Sequence, residues 1–231
     1  MNEFLAEDFA RIGDPVMKRC LQIDGKRLYI SGVTGFFGKN LLALLDYLHR
    51  LGSRFEVTAI SRNPQRFMAG QPWSRALPWL DLREGDVRNP WPAEGKYDLV
   101  LHAATDTAAS AHQDKLEVFE SILAGTREAL AFAGARGVSR SLLTGSGAQC
   151  GSIPEVHANG IPENSLIACD ATKTGSAYGE GKRVSEILAA LHAERHGFAV
   201  INARCFAFVG PGLPLDGHFA IGNFIGDAVA G

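Results

Sequence analysis

The sequence predicts an α/β fold, in which a doubly wound parallel sheet carries helices on both faces. Short apolar segments alternate with longer amphipathic segments along most of the 231 residues. The first apolar segment leads into a glycine-rich turn, and that turn opens a segment of helical period. Strands that alternate with helices form parallel sheets, because each helix returns the chain to the edge from which the next strand starts.

The individual strands and helices follow from the spacing of the apolar side chains. Runs of four to six largely apolar residues predict buried strands, and apolar side chains at three- and four-residue intervals predict helices. The six predicted strands are Arg27–Ser31, Phe55–Ile60, Leu80–Glu84, Tyr97–His102, Ser141–Thr144 and Ala199–Arg204. The predicted helix faces are marked by Leu41, Leu44, Leu45 and Leu48, and by Val184, Ile187, Leu188 and Leu191. A longer helix is predicted from about Gln113 to Ala135.

The composition bounds the class of protein and its organisation. Residues 1–26 are expected to form a leader, partly helical around Phe4–Ile12, and residues 27–231 to form one domain. A formal net charge of −2 gives no reason to expect nucleic acid or a membrane surface as partner. No apolar run approaches the roughly 20 residues that span a bilayer. Four widely spaced cysteines without a CxxC pair indicate reduced thiols in a cytoplasmic protein.

The strongest local signal is the segment Ser31–Gly38, which reads SGVTGFFG directly after the first strand. A glycine-rich turn between a strand and a helix is the dinucleotide-binding fingerprint of a Rossmann domain. Gly32 permits the tight turn, Gly35 lets the backbone approach a pyrophosphate, and Gly38 lets the helix pack closely. The helix then offers its first N–H groups to the phosphates. The predicted cofactor-binding residues of this loop are Gly32, Thr34, Gly35, Phe36, Phe37 and Gly38.

Two alternatives accompany this interpretation of the loop. A glycine-rich turn can also have a purely structural use. The adjacent rings of Phe36 and Phe37 are expected to pack beside the loop rather than to form a platform on which a base stacks.

A tyrosine and a lysine near the end of the chain predict proton transfer. Tyr178 and Lys182 are four residues apart at the start of a helix, which places both side chains on one face. A tyrosine with a pKa of about 10 is a poor base, but a nearby ammonium group lowers that pKa. The same lysine can hydrogen-bond the ribose of a cofactor. Ser146, just after the fifth strand, can hold the substrate oxygen. The alternative is a half-buried aromatic ring beside a solvated lysine.

The residues that follow the second strand bear on the choice of cofactor. An acidic residue there would bind the ribose hydroxyls and favour NAD. This sequence has Ser61-Arg62-Asn63, and an arginine can bind a 2′-phosphate through its fork of donors. Arg62 therefore favours NADP, with NAD as the alternative cofactor and an ordinary surface arginine as the alternative role.

Together these segments resemble the extended short-chain dehydrogenase/reductase family, in its epimerase/dehydratase branch. The resemblance runs from about Arg27 to the C-terminus, with its pieces in the order of that family. The G-x-x-G-x-x-G spacing of the glycine loop is the variant associated with it. Its remaining pieces are Gly85-Asp86-Val87, His102-Ala103-Ala104, Gly125-Thr126, Ser146 before Gly151, Tyr178 with Lys182, and Gly210-Pro211-Gly212.

The resemblance implies an NAD(P)-dependent nucleotide-sugar oxidoreductase of the epimerase type, active as a homodimer. The dimer contacts would come from the helix Gln113–Ala135 and the helix after Tyr178. The implied residues around the adenine are Asp86 and Val87, those on the nicotinamide side are Ala103, Ala104 and Thr105, and those of the catalytic triad are Ser146, Tyr178 and Lys182.

The sequence departs from this family at several positions. Dehydratases of the family carry acidic residues directly after the serine, where this chain has Gly147 and Ala148, so elimination of water lacks its acid and base. Epimerase and ketoreductase chemistry needs only hydride and proton transfer, so it remains compatible with these residues. Cys150, Ile122 and Ala207 replace a tyrosine and two asparagines, and the last change removes an expected sugar-nucleotide contact.

Two further functions remain open at this stage. Arg62 favours a simple NADPH-dependent ketoreductase. A non-catalytic dinucleotide-sensing protein on the same fold would be expected to lack the pair of Tyr178 and Lys182. Relatives normally continue well beyond Gly231, so we expect a truncated substrate-binding portion, with weak or absent turnover and retained cofactor binding. His192 and His196 lie four residues apart but lack a third ligand, so no metal is expected.

Overall fold

The computed structural model describes residues 3–105, 114–152, 160–215 and 220–231. Six strands form a single sheet in the order β3-β2-β1-β4-β5-β6, and every pairing in it is parallel. This is the doubly wound order of the Rossmann fold, so the predicted fold class is confirmed. The strands are β1 (Arg27–Ser31), β2 (Glu56–Ser61), β3 (Leu80–Glu84), β4 (Leu99–His102), β5 (Arg140–Ser146) and β6 (Ala199–Cys205).

Seven α-helices are described around the sheet. They are α1 (Glu3–Ala10), α2 (Asp14–Cys20), α3 (Phe36–Arg50), α4 (Pro64–Gly70), α5 (Lys115–Ala135), α6 (Ala177–His196) and α7 (Ala220–Ala230). Short 3-10 turns occupy Leu21–Ile23, Pro72–Ala76, Gly147–Cys150 and Thr174–Ser176. In the described ranges, none of the helices combines the length and the apolar character that a bilayer crossing requires.

All six predicted strands are confirmed, and the boundaries differ where neighbouring elements decide them. β4 begins at Leu99 rather than at Tyr97, because the Tyr97 N–H donates to the Arg136 carbonyl after α5. β5 continues to Ser146 because β6 extends alongside it and pairs Ser146 with Cys205. Strand ends therefore depend on the neighbouring chain as well as on local propensity.

The two faces of the sheet carry separate apolar cores. Side chains of successive strand residues point to opposite faces, so Tyr29 joins one core while Leu28 and Ile30 join the other. The core on the α3 side contains Leu42, Leu45, Leu48, Val57 and Trp79, and the core on the α5 side contains Val100, Ala129, Leu130, Phe132 and Ala189. The predicted leucine face of α3 is thus confirmed, and fully buried Leu42 adds to it.

The N-terminal helices cover the α3 side of the molecule. The ring of Phe9 lies 5.7 Å from that of Tyr47 in α3, and Met17 packs against the same apolar core. The Asp24 carboxylate accepts a hydrogen bond of 2.6 Å from the Arg54 backbone N–H. Phe9, Met17 and Asp24 therefore tie this N-terminal segment to the sheet-bearing part of the chain.

The prediction that Val184, Ile187, Leu188 and Leu191 form the buried face of α6 is wrong in part. Ile187 and Leu191 are 56% and 54% exposed, and the side chains that face α5 are small. A Cβ added at Gly181 would lie 3.2 Å from Ile122 in α5, and the hydroxyls of Thr126 and Ser185 hydrogen-bond at 2.9 Å. Close helix contact requires small residues, so the larger side chains point outward.

The sheet order reverses between β1 and β4, which are neighbours in space. In an open α/β sheet this switch point leaves a crevice beyond the carboxyl ends of the strands. A buried hydrogen bond of 2.7 Å between Ser31 Oγ and His102 Nδ1 joins the two strand ends below that crevice. Burial lowers the pKa of His102 to about 3, so its imidazole is neutral at physiological pH.

Candidate active site

A cleft of about 920 Å³ opens at the carboxyl ends of the strands, above the switch point. Segments that are far apart in the sequence meet there, because the carboxyl ends of parallel strands share one edge of the sheet. Nine of the predicted cofactor-binding residues line it, namely Gly32, Thr34, Gly35, Arg62, Asp86, Val87, Ala103, Ala104 and Thr105.

The glycine loop forms one wall of the cleft and comes into close contact with the end of β4. Gly32 has φ 83°, and a Cβ there would lie 2.5 Å from the carbonyl carbon of Ala103. A side chain at Gly38 would collide with the Gly32 carbonyl oxygen at the start of α3. Gly35 is the N-cap of α3, and no side chain of the described residues caps the helix there. The first N–H groups of α3 can therefore serve an anionic ligand.

Three of the predicted loop residues, Phe36, Phe37 and Gly38, are not among the described residues that line the cleft. A Cβ added at Gly210 would lie 3.6 Å from the Phe36 ring, and the ring of Phe37 meets that of Phe208 edge-on at 5.7 Å. The two phenylalanines therefore pack against the segment that follows β6. Gly38 is buried under the loop, as its predicted packing role requires.

The end of β2 brings positive charge to the cleft. Ser61 closes the strand, and both Arg62 and Asn63 line the cleft. Sequence reasoning missed Arg66, which lines the same wall from the first turn of α4. The signal that could have found it is the capping residue Asn63, whose Oδ1 accepts a 2.8 Å hydrogen bond from the Arg66 N–H.

Asp86 also lines the cleft and is hydrogen-bonded by Arg88, which the sequence analysis did not single out. Arg88 donates to the Asp86 carboxylate from its backbone N–H at 2.9 Å and from Nη2 at 2.8 Å. Hydrogen bonds from the Arg88 side chain lower the pKa of Asp86, so the carboxylate is charged. Arg88 Nη1 also donates to Glu117 of α5 at 2.7 Å, which ties this wall of the cleft to that helix.

The three predicted catalytic residues are not among the described residues that line the cleft, and Lys182 contacts its wall through Thr105. Ser146 ends β5, and Tyr178 and Lys182 lie in the first turns of α6. Burial raises the pKa of Tyr178, and a hydrogen bond with Ser146 acts in the opposite direction. Lys182 is buried, and its Nζ donates to Thr105 Oγ1 at 2.6 Å and to the Thr144 carbonyl at 2.7 Å. Lys182 therefore connects α6 with the cleft wall at Thr105.

The predicted lowering of the tyrosine pKa by the lysine is wrong for this structure. Burial is the largest influence on Tyr178 and raises its pKa, and Lys182 is anchored on Thr105 and Thr144 instead. The thiol of Cys205, which sequence reasoning missed, raises the Tyr178 pKa further. Burial also lowers the pKa of Lys182 itself to about 8. Desolvation thus opposes charge on both groups.

The sheet order, the glycine loop and the group of Ser146, Tyr178 and Lys182 define a Rossmann-fold protein of the short-chain dehydrogenase/reductase type. Residues 28–230 match the model of the NAD dependent epimerase/dehydratase family. The chain belongs to this family.

Curated relatives and solved structures agree with this membership. The chain is 28% identical over 206 residues to UDP-glucuronic acid decarboxylase 3 of Arabidopsis thaliana, a match that covers 89% of this chain and 57% of the relative. It is 26% identical over 223 residues to UDP-glucuronic acid decarboxylase 1 of Xenopus tropicalis. That match covers 94% of this chain and 49% of the relative. The chain therefore spans roughly half the length of these relatives.

Two solved structures illustrate the shared fold. A UDP-galactose 4-epimerase has a TM-score of 0.68 and 24% identity, with 88% of this chain and 63% of that chain covered. The UDP-glucuronic acid 4-epimerase from Bacillus cereus, solved in complex with NAD, has a TM-score of 0.63 and 17% identity, with 80% and 57% covered. At 24% and 17% identity, these two structures show that the chain shares their fold.

The depressed pKa of Lys182 predicts a pH dependence of stability. Between the folded value of about 8 and the ordinary value of 10.5, the unfolded chain binds more protons, so stability rises with pH across that window. Substituting Lys182→Met removes this contribution, and wild type should gain about 1 to 3 kcal/mol relative to the variant between pH 8 and pH 10.5. Urea unfolding across that range measures the difference. The exposed Lys18→Met variant is the control, and parallel curves for Lys182→Met and wild type would contradict the assignment.

Proposed function

We propose that the chain is the cofactor-binding and proton-transferring part of an NAD(P)-dependent nucleotide-sugar oxidoreductase of the epimerase type. The observation that carries the proposal is the contact of Lys182 with Thr105 in the cleft wall, four residues along α6 from Tyr178, which hydrogen-bonds with Ser146. The decarboxylases and epimerases to which the chain is similar carry the names of UDP-sugars, which supports a nucleotide sugar as substrate.

The residues of the cleft fit a dinucleotide. The positive φ of Gly32 and the absence of a side chain at Gly35 let the backbone approach a pyrophosphate, and the start of α3 offers N–H groups to it. Arg62 and Asp86 would flank the adenosine half, and Thr105 with Lys182 would face the nicotinamide half. When bound, the nicotinamide supplies the acceptance and return of a hydride.

The protein side chains then handle the proton. Tyr178 exchanges a proton at its phenol oxygen with the sugar hydroxyl, and Ser146 Oγ hydrogen-bonds the same substrate oxygen. Lys182 Nζ lies between Thr105 and Thr144, where it can bind the cofactor ribose. Return of the hydride to the opposite face of the sugar would invert the carbon, which is epimerisation.

The turn after Ser146 favours epimerase or ketoreductase chemistry over elimination of water. A side chain at Gly147 would collide with the Phe206 ring, and the Ala148 N–H donates to Ser146 Oγ at 3.2 Å. Neither residue supplies the carboxyl group that a dehydratase of the family uses directly after this serine. A ketoreductase that consumes NADPH is the second candidate, favoured by Arg62 at the end of β2.

The first test removes the phenol. Tyr178→Phe should bind NAD or NADP as wild type does, but should lose about 100-fold or more of any turnover, because a positioned acid/base contributes 10²- to 10⁴-fold. Cofactor affinity is measured by tryptophan fluorescence, and turnover by NMR on a panel of UDP-sugars. Activity without added cofactor would identify the epimerase, and stoichiometric consumption of NADPH the reductase. Tyr47→Phe on α3 is the control, and full activity of Tyr178→Phe would refute an enzyme of this type.

The second test concerns the cofactor. We propose a preference for NADP, since Arg62 and Arg66 line the wall at the end of β2. Charge-assisted hydrogen bonds to a phosphate contribute about 1.5 to 3 kcal/mol. Arg62→Ala should therefore weaken NADP binding by about 10- to 100-fold and change NAD binding by less than about 3-fold. Titration of both cofactors measures this, with the exposed Arg11→Ala variant as control. Equal loss for NAD and NADP would show that Arg62 does not recognise the 2′-phosphate.

The third test concerns self-association. We propose that a second copy of the chain covers the outer faces of α5 and α6, where Leu116, Ile187 and Leu191 are 66%, 56% and 54% exposed. Exposed apolar patches of this kind mark interaction surfaces. Ile187→Lys should convert a dimer into a monomer at micromolar concentration, as measured by sedimentation equilibrium. Val229→Lys on α7 is the matched control, and a wild type that is already monomeric would contradict the dimer.

A further inference from the structure

Gln149 is a polar side chain buried in the turn that follows Ser146, where its exposed fraction is 2%. Its Oε1 accepts a hydrogen bond of 2.9 Å from the Ser146 backbone N–H. Ser146 Oγ in turn accepts one of 3.2 Å from the Ala148 N–H. The turn Gly147–Cys150 thereby holds Ser146 through both its backbone and its hydroxyl, in a reciprocal capping arrangement.

An ion pair between β6 and α6 lies close to the Gln149 amide. Arg204 of β6 donates to the two carboxylate oxygens of Glu186 in α6, both at 2.8 Å. Among the described residues, Nε2 of Gln149 has no partner with hydrogen-bond geometry. The amide nevertheless lies close enough to Glu186 to lower the pKa of that carboxyl group, in addition to the larger effect of Arg204.

The Glu186 carboxylate favours one of the two orientations of the Gln149 amide. A carboxylate can only accept hydrogen bonds, so it favours the NH₂ end of Gln149 and repels the carbonyl end. The carbonyl oxygen is then directed to the N–H of Ser146. Arg204 keeps Glu186 in place, since a bidentate arginine–carboxylate pair is geometrically specific.

The amide also depends on the absence of a side chain in β5. A Cβ added at Gly145 would lie 2.5 Å from Oε1 of Gln149 and 3.3 Å from the Ala203 carbonyl oxygen. A larger residue at position 145 would therefore displace the amide from the Ser146 N–H. Gly145 provides a second, independent way to disturb the same contact.

We propose that Gln149 is a positioning residue that holds Ser146 so that its hydroxyl meets the phenol of Tyr178, and that the pair of Glu186 and Arg204 orients Gln149. The catalytic significance of this arrangement rests on the proposed function. The contact between Ser146 and Tyr178 does not, and it can be measured without turnover.

The first experiment observes the tyrosine directly. The chain has four tyrosines, so ¹³Cζ-labelled tyrosine gives four resonances, and Tyr178→Phe assigns one of them. The ¹³Cζ shift at neutral pH reports hydrogen bonding at the phenol oxygen. Gln149→Glu places a second carboxylate against Glu186 and should move the Tyr178 resonance, as should Gly145→Ala. The exposed Gln22→Glu variant on the turn after α2 should leave it unchanged.

A double variant distinguishes a loss of amide orientation at position 149 from a general disturbance of the fold. In the double variant Gln149→Glu with Glu186→Gln, the amide and the carboxylate change places, so a donor again faces an acceptor and the oxygen toward Ser146 is kept. The Tyr178 resonance should return toward its wild-type position. If Gln149→Glu does not fold, as judged by circular dichroism, Gln149→Met replaces it and should move the same resonance. An unmoved resonance in a folded Gln149 variant, or no recovery in the double variant, would overturn the proposal.

A second experiment measures the consequence for catalysis. With an active wild type, Gln149→Glu should lower kcat by about 10- to 100-fold, the effect of losing one or two well-placed hydrogen bonds. KM and the Kd for cofactor should stay within about 2-fold, and the double variant should recover much of kcat. An inactive wild type that binds no dinucleotide would refute the proposed function, whereas the tyrosine spectrum would still decide the role of Gln149. An unchanged kcat beside an active wild type would refute the positioning role alone.

Discussion

The close approach of the glycine loop to the end of β4 is the constraint on which the cleft depends. Gly32 lies so near Ala103 that any side chain would meet its carbonyl carbon at 2.5 Å. The sheet order reverses at this point, so the loops after β1 and β4 diverge above a narrow base. The hydrogen bond between Ser31 Oγ and His102 Nδ1 joins β1 to β4 below the cleft. Backbone packing between the glycine loop and the end of β4 therefore fixes the position of the cleft.

Burial governs the electrostatics of the catalytic group more than the charge of its neighbours does. Tyr178 and Lys182 are both desolvated, which raises one pKa and lowers the other, so each favours its neutral form relative to water. Hydrogen bonds to Ser146, Thr105 and Thr144 compensate for part of this cost. Because its pKa is raised, the phenol of Tyr178 is protonated at neutral pH.

The helices that carry the site show how packing distance selects residues. α5 and α6 approach closely through Gly181, Thr126 and Ser185, and this approach brings the start of α6 against the turn after Ser146. A Cβ at Gly179 would meet the Ala148 carbonyl oxygen at 2.5 Å. The apolar residues of α6 that do not fit this contact face outward instead. One packing constraint thus fixes the position of Tyr178 and leaves Ile187 and Leu191 of α6 exposed.

The sequence by itself determined the strands, the glycine loop and nine of the residues that line the cleft, because each depends on a local period or a short motif. It also predicted that Ser146, Tyr178 and Lys182 belong together, through the ordered resemblance to a family. Only the tertiary structure decided which face of α6 is buried, that Arg66 and Arg88 join the cleft, and that Lys182 is anchored on Thr105. It also brought Gln149 against Glu186 and reversed the expected shift of the Tyr178 pKa. These features arise from distances between segments remote in the chain and from the exclusion of water, and neither quantity is encoded in local spacing.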